Sequence, residues 1–517
     1  MKKNNFSFIF SIVLLFIISV SSCTDNWDSH YAAVTAEKSD LNLYEYISQD
    51  PSLSTFTYML QLAGYDTILN KSQTYTVWAP VNSALEDVNL NDTSKVKELV
   101  ENHIARFSYS TSGVNSKSIF MLANKIIVFA GSGTTYTFGG KNIIKSNIGT
   151  ENGIIHYVEN YVPYLPNIWE FIGKTEGLDS LEKYLYSNSK KTFDLAASGK
   201  DIGTDANGQL LYDSVFTITN KILNRLGNLN TEDSLYTAIL PDNDAWTEAY
   251  NRIKPYFNTL ASDGGANKQR ESVQWAIVQD LVFRKQVIDP SSYDSLVSTN
   301  RNVFHQPAYL FEGVKAPVSN GLVYVNNLLK YKATESWHKE IRVEAESVSF
   351  SEIGTKSNMD IFPRTSVGSG FMISKDRYIF AQNTATNNLS PVFLRFPIPN
   401  TLSAKYNIYC VFVPASIANP LDLRPSRLNF YLSYIDALGK EVKDKKITVA
   451  INETDPNQPT KLFVTQFEFP YSNLIDYEKL NPVISVNLKV ENAVRTTETV
   501  KFNRDMRVDC VILEPVQ

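Results

Sequence analysis

The chain has 517 residues, a formal net charge of −5 and three cysteines. Its length allows about three domains, and its cysteine count excludes a disulfide-rich scaffold. The slightly acidic balance, without any run of basic residues, gives no electrostatic footprint for nucleic acid, so we expect no nucleic-acid partner.

The N-terminus has the pattern of a secretory signal. Lys2 and Lys3 precede an apolar run, Phe6 to Val20, that is too short to span a bilayer comfortably. The run closes at Val20-Ser21-Ser22-Cys23, which resembles a bacterial lipobox. We predict a signal peptide over residues 1–22 and acylation of Cys23, which would anchor the mature chain in membrane lipid. The alternative is an ordinary signal peptide with a chance cysteine.

A polar tether over residues 23–37 follows the predicted anchor. Its acidic stretch, Thr24-Asp25-Asn26-Trp27-Asp28, resembles the surface-export signal of Bacteroidetes lipoproteins. That resemblance implies a protein that is lipid-anchored to the outer membrane and exposed at the cell surface. No later segment is apolar for long enough to span a membrane, so we expect the rest of the mature chain to be soluble.

An internal duplication occupies the middle of the chain. Three short patterns recur in the same order, NLYEYI (42–47), TVWAPVNSAL (76–85) and NGIIHYV (152–158) in copy one and NIWEFI (167–172), TAILPDNDAW (237–246) and NGLVYV (320–325) in copy two. A repeat of this length is too long for one unit of a solenoid, so each copy should be a domain with its own core.

Copy one mixes helical and strand patterns. Apolar spacing predicts helices between Asn42 and Leu69 and another helix from Ser94 to Ala105. Tyr75 to Trp78 reads as a strand stopped by Pro80, and Asn82 is placed to cap a helix that follows. Further strands are predicted at 126–129, 135–138 and 154–158. Because the strands and helices do not alternate regularly, the pattern favours an α+β domain.

Both copies resemble the fasciclin domain. The first hallmark is a strand followed by Ala-Pro and a polar helix-capping stretch, as at Thr76 to Leu85, and the second is an Asn-Gly turn that leads into a strand, as at Asn152 to Val158. The resemblance implies fasciclin-like domains at 38–165 and 166–333. Copy two departs by an insertion near 189–234, where Asp201 to Gly208 lacks the ligand spacing of an EF-hand and predicts a hairpin turning at Asn207-Gly208.

The C-terminal region changes to alternating strands, which predicts a β-sandwich over residues 338–517. Its first and last strands, near Ile341 to Glu346 and Met506 to Leu513, resemble those of galactose-binding-like carbohydrate-binding modules. We therefore predict a multidomain protein in which two α+β fasciclin-like domains precede an all-β sandwich, a jelly roll. Cys410 and Cys510 both fall in its strands, where they either pair or remain two buried thiols.

The same resemblance implies a structural calcium ion held by Glu346 and Asp509. Strand alternation places Glu344 and Glu346 on one face, and calcium prefers several hard oxygen ligands. The alternative is that these carboxylates face solvent or are hydrogen-bonded without a metal.

The histidines carry no metal-binding spacing, and the chain shows no recognisable catalytic set. His103 aligns with Leu281 of copy two, and His156 aligns with Tyr324 or its neighbour, which favours packing over catalysis. We expect a protein that is not an enzyme and has no cofactor beyond the calcium ion.

Sugar binding needs an aromatic face flanked by polar groups. All six Trp residues precede the sandwich, so no Trp can stack on a sugar there. The aromatic candidates that remain in the sandwich are its Phe residues and the tyrosines Tyr378, Tyr406, Tyr431, Tyr434, Tyr471 and Tyr477. The sequence does not identify which of them bind a ligand. Most of these fall in strand patterns that favour core positions. Lipoproteins of this appearance often accompany SusC/SusD-like importers, which implies capture of a polysaccharide or other nutrient polymer. The alternative is a structural or adhesive role that docks a partner protein.

Overall fold

The computed structural model describes residues 37–195, 198–199, 201–204, 210–212, 216–347, 359–384, 391–475 and 483–516. The predicted signal peptide, Cys23 and Tyr477 lie outside these residues. None of the described helices is long and apolar enough to cross a membrane. The chain divides into two compact units, of which unit 1 runs to Trp169 and includes Asn230–Asp233 and Pro317–Asn320, while unit 2 holds the remainder.

Among the described residues, the α-helices lie in the two sequence copies. They are α1 Leu43–Gln49, α2 Ser54–Leu62, α3 Tyr65–Leu69, α4 Thr93–Glu101, α5 Ile168–Lys174, α6 Asp179–Ser187, α7 Leu223–Leu226, α8 Asn243–Ile253 and α9 Gly265–Val278.

The strands run through both copies and the C-terminal region. In copy one they are β1 Glu37–Lys38, β2 Tyr75–Pro80, β3 Ile104–Arg106, β4 Ser116–Phe120, β5 Ile126–Ser132, β6 Thr135–Phe138, β7 Lys141–Thr150 and β8 Gly153–Val158. In copy two they are β9 Ser189–Phe193, β10 Asp201–Thr204, β11 Leu210–Tyr212, β12 Phe216–Asn220, β13 Tyr236–Pro241, β14 Val282–Arg284, β15 Ser295–Val297, β16 Val303–His305, β17 Val314–Val318 and β18 Gly321–Asn326. The C-terminal strands are β19 Ile341–Glu344, β20 Met359–Thr365, β21 Arg377–Asn383, β22 Phe393–Pro397, β23 Lys405–Phe412, β24 Leu428–Ile435, β25 Glu441–Ile447, β26 Thr460–Glu468, β27 Asn487–Asn492 and β28 Met506–Pro515.

The sheet of unit 1 has eight strands in the order β3-β2-β8-β7-β6-β5-β4, with β1 paired to β7. Helices and sheet share a core that includes Phe56, Leu60, Val77 and Ile155, all fully buried. A second cluster centres on Trp78, whose ring stacks on Phe138 with centroids 4.5 Å apart. Copy one is therefore α+β, as the irregular order of its patterns predicts.

The strand register of copy one recurs in copy two. β2 runs parallel to β8 with Tyr75 opposite Gly153, and β13 runs parallel to β18 with Tyr236 opposite Gly321. On the edge opposite β8, β2 pairs with the antiparallel strand β3. On the edge opposite β18, β13 pairs with the antiparallel strand β14. Equivalent residues of the two copies thus occupy equivalent ladder positions in their central strands.

A threonine on the central strand of each copy fixes the neighbouring loop. Thr76 Oγ1 donates to Phe107 O and accepts from Tyr109 N, each at 2.8 Å. In copy two, Thr237 Oγ1 donates to the carbonyl of Lys285 at 2.9 Å and accepts from the N–H of Val287 at 2.8 Å. Each buried hydroxyl thus hydrogen-bonds one carbonyl and one N–H of the loop backbone that follows β3 or β14.

The prediction that Asn82 caps the following helix is wrong. Its Oδ1 accepts from the N–H of Thr55 at 2.9 Å, at the start of the earlier helix α2, and its Nδ2 donates to Pro51 O at 2.8 Å. In copy two, Asn243 Oδ1 likewise accepts from Ser180 N of α6 at 2.9 Å. The side chain supplies an acceptor to a helix N-terminus, but the helix is distant in sequence.

The helix predicted from Ser94 to Ala105 ends earlier, at Glu101. The chain then enters β3, where Ile104 pairs with Val77. The carbonyl of His103 also accepts from Trp78 N at 3.0 Å. Pairing with the central strand therefore overrides the local helical pattern.

The insertion of copy two forms strand pairs. β10 and β11 are antiparallel, with Thr204 opposite Leu210, and β9 pairs with β12. The turn predicted at Asn207-Gly208 lies outside the described residues.

The C-terminal region is a sandwich of two sheets. One has six strands in the order β20-β21-β28-β23-β26 with β19 on β28, and the other has the order β22-β27-β24-β25. Phe412 of the first sheet packs against Phe430 of the second with ring centroids 6.2 Å apart, and both are buried. The all-β sandwich predicted for this region is confirmed.

Cys410 and Cys510 are two free, buried thiols. On the adjacent strands β23 and β28, Cys410 lies opposite Val511, whereas Cys510 lies opposite Val411. Opposite residues share a face of the sheet and consecutive residues alternate. The two thiols therefore point to opposite faces, which explains why they do not pair.

Candidate functional site

An irregularity in β28 positions a buried carboxylate. Along β23, Val411 lies opposite Cys510 and Phe412 opposite Val508, so Asp509 is the extra residue of a β-bulge. On the other edge of β28, β19 pairs as far as Cys510 and β21 begins at Val508. Asp509 therefore lies in the gap where one edge strand gives way to the next.

Glu344 approaches Asp509 at this gap. It is the last residue of β19 and lies opposite Cys510, and its carboxylate, that of Asp509 and the Cys510 thiol have ligand atoms within 4.8 Å of one another. The side chains of Glu344 and Asp509 are only 6% and 4% exposed. A loop covers them, since Ser374 donates its hydroxyl to Glu344 Oε1 at 2.7 Å and its N–H to Asp509 Oδ2 at 3.2 Å.

Three carboxylate oxygens at this site lack a hydrogen-bond partner among the described residues. They are Glu344 Oε2, Glu346 Oε2 and Asp509 Oδ1. Burial, with the charges of Glu344 and Glu346, raises the pKa of Asp509 to about 6. Burial and the charge of Glu344 also raise the pKa of Glu346. The largely exposed Lys375 lies 3.7 Å from Glu344, and the charge of Arg342 also acts on Asp509.

The donor set fits a hard divalent cation. Three carboxylates with unused oxygens could supply several of the ligands that calcium prefers, and a cation would relieve their mutual repulsion. Burial and the Asp509 charge raise the pKa of Cys510, so the thiol is protonated at neutral pH and is a poor ligand. Of the two residues named from the sequence, Asp509 lies in this cluster together with Glu344. Glu346 is outside the group of ligand atoms within 4.8 Å of one another, but its charge acts on Asp509.

The prediction that strand alternation places Glu344 and Glu346 on one face is wrong. β19 ends at Glu344, and Ala345–Ser347 form a turn of 3₁₀ helix, so the two residues do not alternate along one strand. The chain bends away because β21 replaces β19 on the edge of β28. Neither this exchange nor the bulge leaves a recognisable signal in the sequence.

The candidate tyrosines divide between core and surface. Tyr406 and Tyr434 are 1% and 7% exposed in the core, as the strand pattern favours. Tyr378 is 4% exposed, but it lies opposite Arg364 on the outer face of the six-stranded sheet. Tyr471 is half-buried in a loop. Tyr431 is half-buried on the outer face of the four-stranded sheet, because its neighbours Phe430 and Leu432 fill the core.

The outer face of the four-stranded sheet combines aromatic rings with charged groups. Arg395, Lys489 and Tyr431 lie opposite one another across β22, β27 and β24, and Phe393 and Glu491 form the next row. Lys489 Nζ lies 4.8 Å from the ring centroid of Phe393 and 4.7 Å from that of Tyr431. All five side chains are half-buried.

The polar groups on this face are held in fixed positions. The Tyr431 hydroxyl donates to Glu491 at 3.1 Å, and Lys489 lies 3.1 Å from the same carboxylate. Arg395 binds both oxygens of Asp444, at 2.7 and 2.8 Å, and holds the pKa of that carboxyl below its usual range. Such a surface offers a ring for the apolar side of a pyranose and preorganised groups for its hydroxyls.

The buried histidines lie in structural positions. His103 and His156 are fully buried, and burial lowers the pKa of each to about 4. The register confirms that His156 corresponds to Tyr324, since they lie opposite Trp78 and Ile239 at the same step of the two ladders.

Comparison with known proteins supports the assignment of copy one. The family model "Fasciclin domain" matches residues 51–162. Transforming growth factor-beta-induced protein ig-h3 of Sus scrofa is 26% identical over 127 residues, which is 23% of this chain and 19% of that protein. The chain therefore spans about a fifth of that relative's length.

Solved structures give weaker likenesses. The FAS1 domain pair of the insect cell adhesion molecule Fasciclin I has a TM-score of 0.21 and 11% identity, over 56% of this chain and 97% of that one. The xylan-binding domain CBM22-1 of Paenibacillus barcinonensis Xyn10C has a TM-score of 0.22 and 12% identity, over 34% of this chain and 95% of that one.

Proposed function

We propose that this chain is a non-catalytic cell-surface lipoprotein that binds a glycan through the outer face of the four-stranded sheet. The observation that carries the proposal is the row of Arg395, Lys489 and Tyr431 beside Phe393 and Glu491. Rings supply contact area to a sugar, and the fixed carboxylate, ammonium and guanidinium groups hydrogen-bond its hydroxyls. Cys23 would anchor the chain in the outer membrane, where it would serve a SusC/SusD-like importer of a polysaccharide.

The proposal includes a structural calcium ion at Glu344, Glu346 and Asp509. Their unpartnered oxygens and the raised pKa of Asp509 support it. An ion there would join the end of β19 to the bulge of β28 and so fix the two ends of the sandwich domain. Its role would be to stabilise the fold that presents the sugar-binding face.

A protein-adhesive role is the second candidate, and one feature of unit 1 favours it. Phe120 lies opposite Ile126 on β4 and β5, and Val128 lies two residues further along the same face. These side chains are 59%, 38% and 45% exposed. Apolar groups on an open sheet face are typical of protein docking surfaces.

Affinity electrophoresis of the full mature chain through gels that contain different polysaccharides tests the proposal. Retardation by at least one neutral glycan is expected, and Tyr431→Ala should remove it. Tyr409→Ala is the matched control, because Tyr409 is a half-buried ring on the other sheet. Retardation by no neutral glycan of the panel, or equal retardation of Tyr431→Ala and wild type by a neutral glycan, would favour the adhesive role.

A further inference from the structure

The outer face of the six-stranded sheet carries a second, separate row of functional groups. Phe362, Phe380 and Arg507 lie opposite one another across β20, β21 and β28. The neighbouring residues Ile379 and Val508 pair with each other and are buried in the core between the sheets. Because side chains alternate, the row that contains Arg507 faces away from that core.

Two guanidinium groups lie near the ring of Phe380. The guanidinium of Arg507 is 4.4 Å from its centroid, and that of Arg364 is 6.0 Å from it and 4.7 Å from the ring of Phe362. Tyr378 lies opposite Arg364, and the charges of both arginines act on its hydroxyl. Two cations and a phenol therefore converge on one part of the sheet.

These donors have no acceptor among the described residues. The structure gives no ion pair or side-chain hydrogen bond in that part of the chain to Arg364, Arg507 or Tyr378, apart from the ring contacts. The nearby carboxylates of Asp422 and Asp505 act on Arg507 through their charges, but the structure gives no ion pair between them and Arg507. Asp422 binds Arg424 through both oxygens at 2.8 Å, and Asp505 accepts from Asn383 N at 2.8 Å.

Apolar side chains surround the polar groups. Ile373, Tyr378 and Val413 form a buried cluster, against which the partly buried Phe371, Phe380 and Ile417 pack. Burial lowers the pKa of Arg507, as expected for a guanidinium that has lost part of its hydration. A charge in such surroundings interacts strongly with an opposite charge that takes the place of water.

We propose that Arg364, Arg507 and Tyr378 form a binding site for the carboxylate or sulfate group of an acidic polysaccharide. Planar guanidinium groups bind such oxyanions through paired hydrogen bonds, and the phenol adds a third donor. The ring of Phe362 would lie under the sugar that carries the anion. The inference rests on the proposed function in that the ligand is a glycan, but it places the anionic group on a different sheet.

Isothermal titration of the full mature chain with three oligosaccharides tests this site. Oligogalacturonate carries carboxylates, a sulfated galactan oligosaccharide carries sulfates without uronate, and xylo-oligosaccharide is neutral. Wild type should bind at least one acidic ligand, with an affinity that falls as salt increases. Arg364→Gln/Arg507→Gln should lower that affinity at least tenfold and leave binding of the neutral ligand unchanged.

Two further variants make the result specific. Arg270→Gln removes one exposed charge from α9 and should change the affinity by less than twofold. Arg364 is exposed, so Arg364→Gln alone should fold normally and still weaken binding. Loss confined to oligogalacturonate or to the sulfated ligand supports the site and identifies its anion.

The results that would overturn this anion site differ from those that would overturn glycan binding by the four-stranded sheet. The site is overturned if wild type binds neither acidic ligand, or if the double variant binds them as tightly as wild type does. Tyr431→Ala, which removes the other sheet's ring, should leave the acidic affinity within twofold of wild type. A loss there, with none in the arginine variants, would place all binding on the four-stranded sheet.

Discussion

At the scale of single residues, a histidine in copy one and a tyrosine in copy two hydrogen-bond equivalent backbone carbonyls. His156 Nδ1 accepts from Asn147 N at 3.4 Å, so its Nε2 carries the proton and donates to Tyr109 O at 2.8 Å. In copy two, the hydroxyl of Tyr324 donates to the carbonyl of Val287 at 3.0 Å. An imidazole N–H and a phenol O–H thus serve equivalent carbonyls, which indicates a structural rather than a catalytic histidine.

The buried histidines should make copy one sensitive to acid. His103 and His156 have a pKa of about 4 when folded and 6.5 when not, so the unfolded chain binds protons first. Their stabilising contribution is complete above pH 6.5 and is lost as the pH falls towards 4, by up to about 3 kcal/mol for each. Thermal unfolding should show a lower Tm at pH 5 than at pH 7.

A variant built from copy two provides the control. His103→Leu and His156→Tyr together introduce the residues found at Leu281 and Tyr324, and should reduce the drop in Tm. Imidazole NMR titration of the wild type should show both rings neutral at pH 5. A measured pKa near 6.5 for either ring would contradict the structural account.

The carboxylate cluster should give the opposite pH dependence when no metal is present. Asp509 has a pKa of about 6 when folded and 3.8 when not, so its contribution is present below pH 3.8 and is lost as the pH rises through 6. The loss is about 3 kcal/mol by pH 7.5. Calcium should restore the stability by binding only the folded state.

Melting curves at pH 7.5 in excess calcium and in excess chelator test this. Chelator should lower the Tm of wild type, and Glu346→Gln should reproduce that loss in calcium. Asp509→Asn should raise the Tm in chelator, because it removes a buried charge, whereas the exposed Asp360→Asn should not. Equal curves for wild type under both conditions would rule out a structural calcium ion.

At the scale of elements, the sequence predicts most strands and helices but not their long-range capping. The Asn-Gly pair at Asn152 predicts a turn, and the chain turns there. Its amide also accepts from Leu43 N at 2.8 Å and donates to Leu69 O at 2.8 Å, so it closes the ends of α1 and α3. Periodicity reports local pattern, whereas the partners of Asn152 depend on how the chain folds back.

The close approach of two strands at Gly153 likewise depends on how the chain folds back, and a substitution there tests it. A Cβ there would lie 2.0 Å from the carbonyl oxygen of Tyr75, because β8 runs close to β2. Gly153→Ala must therefore displace a central strand, at about 3 kcal/mol. Gly133 has open space around it and a φ of +62°, so Gly133→Ala should cost only about 1 kcal/mol.

Urea unfolding of both variants measures the difference. The urea concentration at the unfolding midpoint of copy one should be clearly lower for Gly153→Ala than for Gly133→Ala. Equal midpoints would mean that the two parallel strands are less closely spaced than the structure has them.

At the scale of the whole molecule, the sequence identifies the order of the folds better than the sites on them. The duplication and the switch to alternating strands both correspond to observed architecture. The metal cluster depends on a bulge and an edge-strand exchange, and the sugar-binding face depends on which strands become neighbours. Neighbour relations between distant strands have no local signal. The sequence therefore predicts single residues, such as Asp509 and Tyr431, but not the groups that surround them.

Membrane attachment through Cys23 is a prediction at this scale. Acylation at the end of the apolar run would hold the chain in the membrane fraction. Cys23→Ser should move it to the soluble fraction, while Cys410→Ser, which alters a buried thiol, should not. Equal partitioning of Cys23→Ser and wild type would show that another feature anchors the protein.

Glycan binding by the four-stranded sheet of the sandwich can be located by hydrogen exchange of the full mature chain, followed by mass spectrometry with and without a neutral polysaccharide that retards it. We expect slower exchange in peptides that contain β24 and β27, and no change in Tyr431→Ala. Protection confined to residues 37–333, with none in the sandwich, would contradict it.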